Sequence, residues 1–270
     1  MKVRVIVSMV LLPLLLVVLF ALPKICTAVL VGLMAALGAY ELLTGTGLVK
    51  HLRLNIYSML MALYVCLWFG LGIGYGWLLL GILVFWCLLF AEMMLSGGKL
   101  QFSKVCICFV AALLLPALLG SLVRIHNWER GRVLVCVPFL FAFLSDTGAY
   151  FAGMLFGKHK LAPVISPKKT VEGLIGGCVL TIVGMLIYCI VLQLFFKLQP
   201  NYLLAVAYGV LGTAGAAFGD LCFSAIKRQA DIKDYGKLIP GHGGILDRFD
   251  SMMVVGPLAE LLMLLLPLVV

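Results

Sequence analysis

Charge is what this chain has least of. Only 11% of its 270 residues are charged and 64% are hydrophobic, whereas a soluble domain has about 25% and about 45–50%. A water-soluble fold is excluded, and little length remains for a separate soluble domain. The chain also lacks zinc-site spacing: its nine cysteines are scattered mostly through apolar runs, with Cys106 and Cys108 the only close pair, so they read as small buried core residues. No Walker A or dinucleotide fingerprint occurs. No internal repeat is visible, which disfavours the inverted-repeat transporters. The first apolar run, 5–22, follows Lys2 and Arg4 but lacks a small-x-small cleavage site, so it is read as a membrane span and not a signal peptide.

The apolar runs predict an all-α, polytopic membrane bundle of about nine helices, near 5–22, 25–43, 55–70, 77–95, 105–123, 134–157, 172–196, 202–223 and 252–269. The third is the weakest, because Gly70, Gly72, Gly74 and Gly76 crowd its end. The expected organisation is an N-terminal set of about five spans over 1–133 and a catalytic region over 134–270, with polar loops at 158–171 and 224–251. The net charge of +9 first reports orientation and anionic headgroups, not nucleic acid. With nine spans, fifteen Lys and Arg fall on the side of the N-terminus and five on the other. Positive-inside bias then predicts a cytoplasmic N-terminus, with both polar loops at the cytoplasmic face of the inner membrane.

Because an uncompensated carboxylate at a helix centre costs about 2.5–3.5 kcal/mol even on insertion scales, the eleven acidic residues are the informative ones. Seven lie between Asp146 and Asp250; Glu41, Glu92 and Glu129 fall near predicted helix ends or loops and read as ordinary interfacial acids. Asp146 sits mid-span among small residues, Ser145, Gly148, Ala149, Ala152 and Gly153, and is expected to face a polar cavity. If the eighth helix continues past Asp220, then Ser224, Lys227, Arg228 and Asp231 recur on its stripe. Downstream come Lys233-Asp234, then Pro240-Gly241-His242-Gly243-Gly244, then Asp247-Arg248-Phe249-Asp250-Ser251. Glycine-rich backbone lets N–H groups approach an anion. Asp247, Asp250 and Ser251 are expected on one first helical turn, where capping competes with a site role. His242 reads as a general base, a metal ligand or a turn residue, and beside glycines the last leads. Ser166-Pro167-Lys168-Lys169-Thr170-Val171-Glu172-Gly173 reads as a helix start, with Ser166 as N-cap and Pro167 at the first helical position. Lysines there oppose the helix dipole, so a docked anion, either a lipid headgroup or a nucleotide phosphate, is expected. Carboxylates able to hold a hard cation, clustered Lys and Arg, and glycine backbone at a membrane surface suit metal-dependent phosphoryl or nucleotidyl transfer.

The run Ser224-Ala225-Ile226-Lys227-Arg228, Lys233-Asp234, Pro240-Gly241-His242-Gly243-Gly244 and Asp247-Arg248-Phe249-Asp250 closely resembles the signature of phosphatidate cytidylyltransferases, or CDP-diacylglycerol synthases. The 166–173 stretch, the Asp146 segment and Gly219-Asp220 look like that family's other elements, and the likeness covers roughly 140–252. The resemblance implies an all-helical, dimeric membrane enzyme that condenses CTP with phosphatidic acid to CDP-diacylglycerol and pyrophosphate. It further implies Mg²⁺ held by Asp220 and Asp247, with a potassium ion nearby.

Under that reading Asp220, Asp247, Lys227, Arg228, Arg248 and Asp146 are the expected catalytic set. Ser166, Lys168, Lys169, Thr170, Glu172, Ser224, Lys233, Asp234, Gly241, His242, Gly243, Gly244 and Asp250 are the expected substrate-binding residues. Rival readings are another CTP-using lipid enzyme, such as a polyprenol kinase or an archaeal-type lipid cytidylyltransferase, a cation or proton transporter relaying through Asp146 and Asp220, and a scaffold without chemistry. A CDP-alcohol phosphotransferase is disfavoured, since its closely spaced Asp series opening with Asp-Gly is absent.

Overall fold

In the computed structural model, residues 13–236, 238 and 243–269 are described. Among them, seven helices are long and apolar enough to cross a membrane. We label the long helices α1 (Lys24–Gly45), α2 (Leu52–Leu71), α3 (Tyr75–Leu95), α4 (Phe102–Asn127), α5 (Cys136–Phe156), α6 (Val171–Phe196) and α7 (Tyr202–Gln229). Two shorter helices follow, α8 (Leu246–Phe249) and α9 (Met252–Leu265). The fold is all-α and polytopic.

The expected first span begins outside the described residues; within it, 13–20 are helical. The expected last span is only partly realised. Helix α9 has 14 residues with Pro257 inside it, short of the roughly 20 that a hydrocarbon core requires. The span read as weakest is a full 20-residue helix, α2, because the crowded glycines do not erode it. Gly72 instead takes φ 60°, the left-handed C-terminal turn that a residue without Cβ adopts cheaply, and its N–H donates to the Trp68 carbonyl.

The chain divides into two units, Met1–Val133 with Gln229–Phe249, and Leu134–Arg228 with Asp250–Val270. Within the first, α1 packs on α2 through small residues: a Cβ on Gly32 would lie 2.8 Å from a Leu63 methyl, and one on Gly70 would overlap Ala28. Helix α1 ends in a π turn, Glu41–Gly45. Lys24 donates to the carbonyls of Asn127 (3.2 Å) and Trp128 (3.0 Å), satisfying the end of α4. Arg53 pairs with Glu92 at 3.2 Å.

Within the second unit, α5 and α6 meet backbone to backbone. A Cβ on Gly148 would sit 2.7 Å from the Gly176 carbonyl and 2.8 Å from Gly177 Cα. The opposite side of α6 exposes Ile175, Val179, Val183, Ile187, Ile190 and Leu194. Such a stripe would be a liability in water and suits hydrocarbon. Tyr208 of α7 is fully buried, with its hydroxyl donating to the Leu266 carbonyl at 2.8 Å. The cysteines only partly match expectation: Cys66, Cys108 and Cys189 are buried, whereas Cys87 and Cys106 are exposed on the apolar surface.

Candidate functional site

The first correction concerns 166–173. Ser166 does not cap a helix and Pro167 does not open one. Strand β2 (Ser166–Thr170) pairs antiparallel with β1 (Lys160–Ala162), and α6 begins only at Val171. Pro167 is exposed on this two-stranded ribbon, where a missing N–H is tolerated. The cap passes to Thr170, whose hydroxyl accepts from the Gly173 amide at 3.1 Å. Lys168 and Lys169 are therefore strand residues and not part of a first helical turn. Glu172 holds the base of the hairpin: its carboxylate accepts from the amides of Lys158 (3.1 Å) and His159 (3.2 Å) and meets His159 Nδ1 at 2.6 Å.

The hairpin delivers Lys169 to α7. Its Nζ lies 2.5 Å from Asp220 Oδ2, both side chains about one quarter exposed. Helix α7 does continue past Asp220, as expected, so Ser224 one turn on donates its hydroxyl to Asp220 Oδ1 at 3.1 Å. Lys227, on the same stripe, is buried at 8% exposure. Arg228 is exposed, and its Nε donates to the Ile165 carbonyl at 3.2 Å, pinning the hairpin tip to the helix. Asp231 leaves the stripe: the helix ends at Gln229, and Asp231 has φ 53°.

Helical spacing also breaks down at the far end of the motif, where Asp250 and Ser251 do not share a first turn with Asp247. The short α8 stops at Phe249, and Asp250 lies in the break before α9, its Oδ1 accepting from the Ser251 amide at 2.7 Å. Burial above all, then the charge of Asp220, pushes the Asp250 carboxyl up to about 7, with Asp146 adding to the effect and the Ser251 amide and Lys227 opposing it. Asp146 itself is an exposed residue of α5. Gly219 lets α7 approach this break, since a Cβ there would lie 3.0 Å from the Asp250 carbonyl oxygen. Three carboxylates, Asp146, Asp220 and Asp250, thus share one electrostatic neighbourhood with Lys169 and Lys227.

The other unit carries the glycine segment. Gly241 and His242 lie outside the described residues. Asp247 is buried at 6% exposure, and its Oδ2 accepts from the amides of Tyr235 (2.8 Å) and Gly244 (3.0 Å). Two N–H donors orient this carboxylate and compensate its burial. Gly243 takes φ 88°, and a Cβ there would lie 3.0 Å from Asp247 Oδ2. Lys233, Asp234 and Arg248 are exposed.

Glu41 is not the interfacial acid that its place in the sequence suggests. It is 5% exposed, and its two oxygens accept from the amides of Ile245 (3.0 Å) and Leu246 (2.8 Å), more than 200 residues away. Its only local signal is that of an acid inside a span otherwise free of charge after Lys24.

Among the described residues, no group of three or more His, Cys, Asp or Glu side chains is disposed to hold a metal ion. Mg²⁺ seldom uses such a cage: it takes one or two carboxylates and completes its octahedron with water and substrate phosphates. The donors present fit that habit. Each offers a carboxylate in its own unit: Asp247 is oriented by two amides, and Asp220 is a partly exposed carboxylate held by Ser224 and Lys169.

Comparison with known proteins gives the family of the chain. Phosphatidate cytidylyltransferases of Staphylococcus epidermidis and Staphylococcus aureus are 39% and 37% identical to this chain over 170 and 172 residues, in each case 63% of both chains. That of Staphylococcus saprophyticus is 36% identical over 177 residues, 66% of both. The aligned part thus spans just under two thirds of these relatives. The profile of the cytidylyltransferase family, by contrast, matches residues 2–266, and with nearly the whole length accounted for, the chain belongs to that family.

Proposed function

We propose that this protein, as a homodimer with Mg²⁺ and a potassium ion, transfers the cytidylyl group of CTP to phosphatidic acid. The products are CDP-diacylglycerol and pyrophosphate. The observation that carries this reading is the acid and cation cluster on α7, Lys169 against Asp220 with Lys227 and Asp250 beside it, in a chain of the cytidylyltransferase family.

A phosphomonoester's second pKa is about 6, so the lipid phosphate is already anionic at neutral pH and needs no strong general base. The obstacle is bringing two anions together. Lys169 and Lys227 offset that repulsion from within the cluster, the exposed Lys168 adds a cation on the same hairpin, and the exposed Arg248 of the other unit is a further cation for phosphate. Ser224 holds Asp220 in one rotamer, and Arg228 and Glu172 hold the hairpin that presents Lys169. Asp220 and Asp247 are the carboxylates that would hold Mg²⁺, and the ion would supply charge neutralisation at the triphosphate. A lipid phosphate oxygen bonds to the α-phosphorus while the bond from that phosphorus to the bridging oxygen breaks, and the electron pair leaves with pyrophosphate.

A kinase would use similar groups but attack the γ-phosphorus. With purified protein and phosphatidic acid, label from the α position of CTP is expected to enter the lipid fraction, and γ label to leave as water-soluble pyrophosphate. Appearance of γ label in lipid would replace this reading with a kinase.

CTP must reach the cluster from the cytoplasm, and the fifteen-to-five distribution of cations supports that orientation. In a background without native cysteines, Lys197→Cys is expected to react with a membrane-impermeant thiol reagent in intact cells, and Lys233→Cys is expected to react only after lysis. The opposite pattern would reverse the topology.

A further inference from the structure

Nothing in the proposed chemistry uses Glu41, yet it is among the most completely engaged carboxylates described. A buried carboxylate is costly unless its oxygens find donors, and here both do, on consecutive amides, Ile245 and Leu246. The surroundings are shaped to it. A Cβ on Gly244 would lie 2.5 Å from Oε2 and one on Gly236 would lie 2.6 Å from Oε1. Gly45, at the end of the π turn that carries Glu41, leaves no room for a Cβ against the Tyr235 carbonyl.

Those contacts close a chain of fixed groups. Asp247 takes N–H donors from Tyr235 and Gly244, and Glu41 takes them from the next two residues, Ile245 and Leu246. One residue further on is Asp247 itself. Between them the two carboxylates hold both ends of the glycine segment, one from within it and one from α1. We infer that Glu41 is a positioning residue: it sets the backbone at 244–246 and so aims the Asp247 carboxylate at its cation. This inference rests on the proposed role of Asp247 as a metal ligand.

The test uses full-length protein in detergent, with Mn²⁺ as the probe ion followed by electron paramagnetic resonance. Trypsin cleavage at Lys233, Lys237 and Arg248 reports the segment independently of turnover. Glu41→Gln keeps the shape but turns an amide NH₂ toward one backbone N–H. It is expected to weaken Mn²⁺ binding at least about tenfold, speed cleavage by a similar factor, and raise the Mg²⁺ concentration for half-maximal activity, with turnover recovering at high Mg²⁺. Gly236→Ala displaces the same carboxylate without altering it and is expected to reproduce all three effects, which keeps the test decisive should Glu41→Gln fold poorly. Glu41→Asp, retaining charge at shorter reach, is expected to fall between. Unchanged Mn²⁺ affinity and cleavage in Glu41→Gln and Gly236→Ala would overturn the inference, as would a lowered melting temperature with unaltered metal dependence. If wild-type protein binds no Mn²⁺ while the cleavage effect persists, the metal role of Asp247 fails and the clamp on the segment stands.

Discussion

Asp220→Asn and Asp247→Asn are each expected to lower turnover by at least about 10²-fold, and chelation of divalent cations to abolish it until Mg²⁺ is restored. Both variants remove a charge and keep the volume, so neither opens a cavity. The two should differ in their collateral effects. Asn at 220 keeps an oxygen for the Ser224 hydroxyl but loses the partner of Lys169. Asn at 247 risks presenting NH₂ to the amides of Tyr235 and Gly244, so it is expected to loosen the glycine segment as well. Melting curves and Mn²⁺ binding measured alongside turnover separate these effects. Near-normal rates in both variants would remove the two residues from the site.

Lys169→Met and Lys227→Met are the next largest in expected effect. Removing a preorganised cation or donor that meets developing charge typically costs about 10²–10³ in turnover, and a loss of about 10²-fold is expected for each. Their stability signatures should diverge. The Lys169 and Asp220 side chains are about one quarter exposed, and such a pair contributes no more than about 1 kcal/mol to folding. Lys169→Met should therefore fold normally. Lys227 is buried beside Asp250, and taking one partner from buried charges leaves the other uncompensated, so Lys227→Met is expected to destabilise measurably. Full activity in Lys169→Met with a lowered melting temperature would make the hairpin pair a structural strut.

Periodicity and hydropathy suffice to read α1 to α7 from the sequence, because a span must be long and apolar whatever surrounds it. The stripe from Asp220 to Lys227 is equally legible, since a helix that continues places those side chains on one face by geometry alone. Two failures share a cause. At 166–170, Ser-Pro fits a helix start, but the strand pairing that decides the matter is made with Lys160–Ala162 across a turn that periodicity does not register. At Glu41, the acid lies near a helix end where water is the ordinary partner, and its real partners stand 204 and 205 residues away. Local propensity cannot anticipate long-range hydrogen bonds. The break at Asp250 is a further miss of another kind: a continuous helix from Asp247 satisfies every local rule, and the hydrogen bond at the break, from the Ser251 amide, is itself local.

That separation also bears on how the protein is made. Ribosomes add about 5–20 residues per second, so once Glu41 has emerged, roughly 10–40 s pass before Ile245 and Leu246 exist to donate to it. Throughout that interval α1 carries a carboxyl group that the finished fold shields and the nascent chain does not. A carboxyl so placed is costly unless water reaches it. Helix α1 therefore waits in an unfinished state until a stretch of chain 204 and 205 residues further on supplies the donors for its carboxylate.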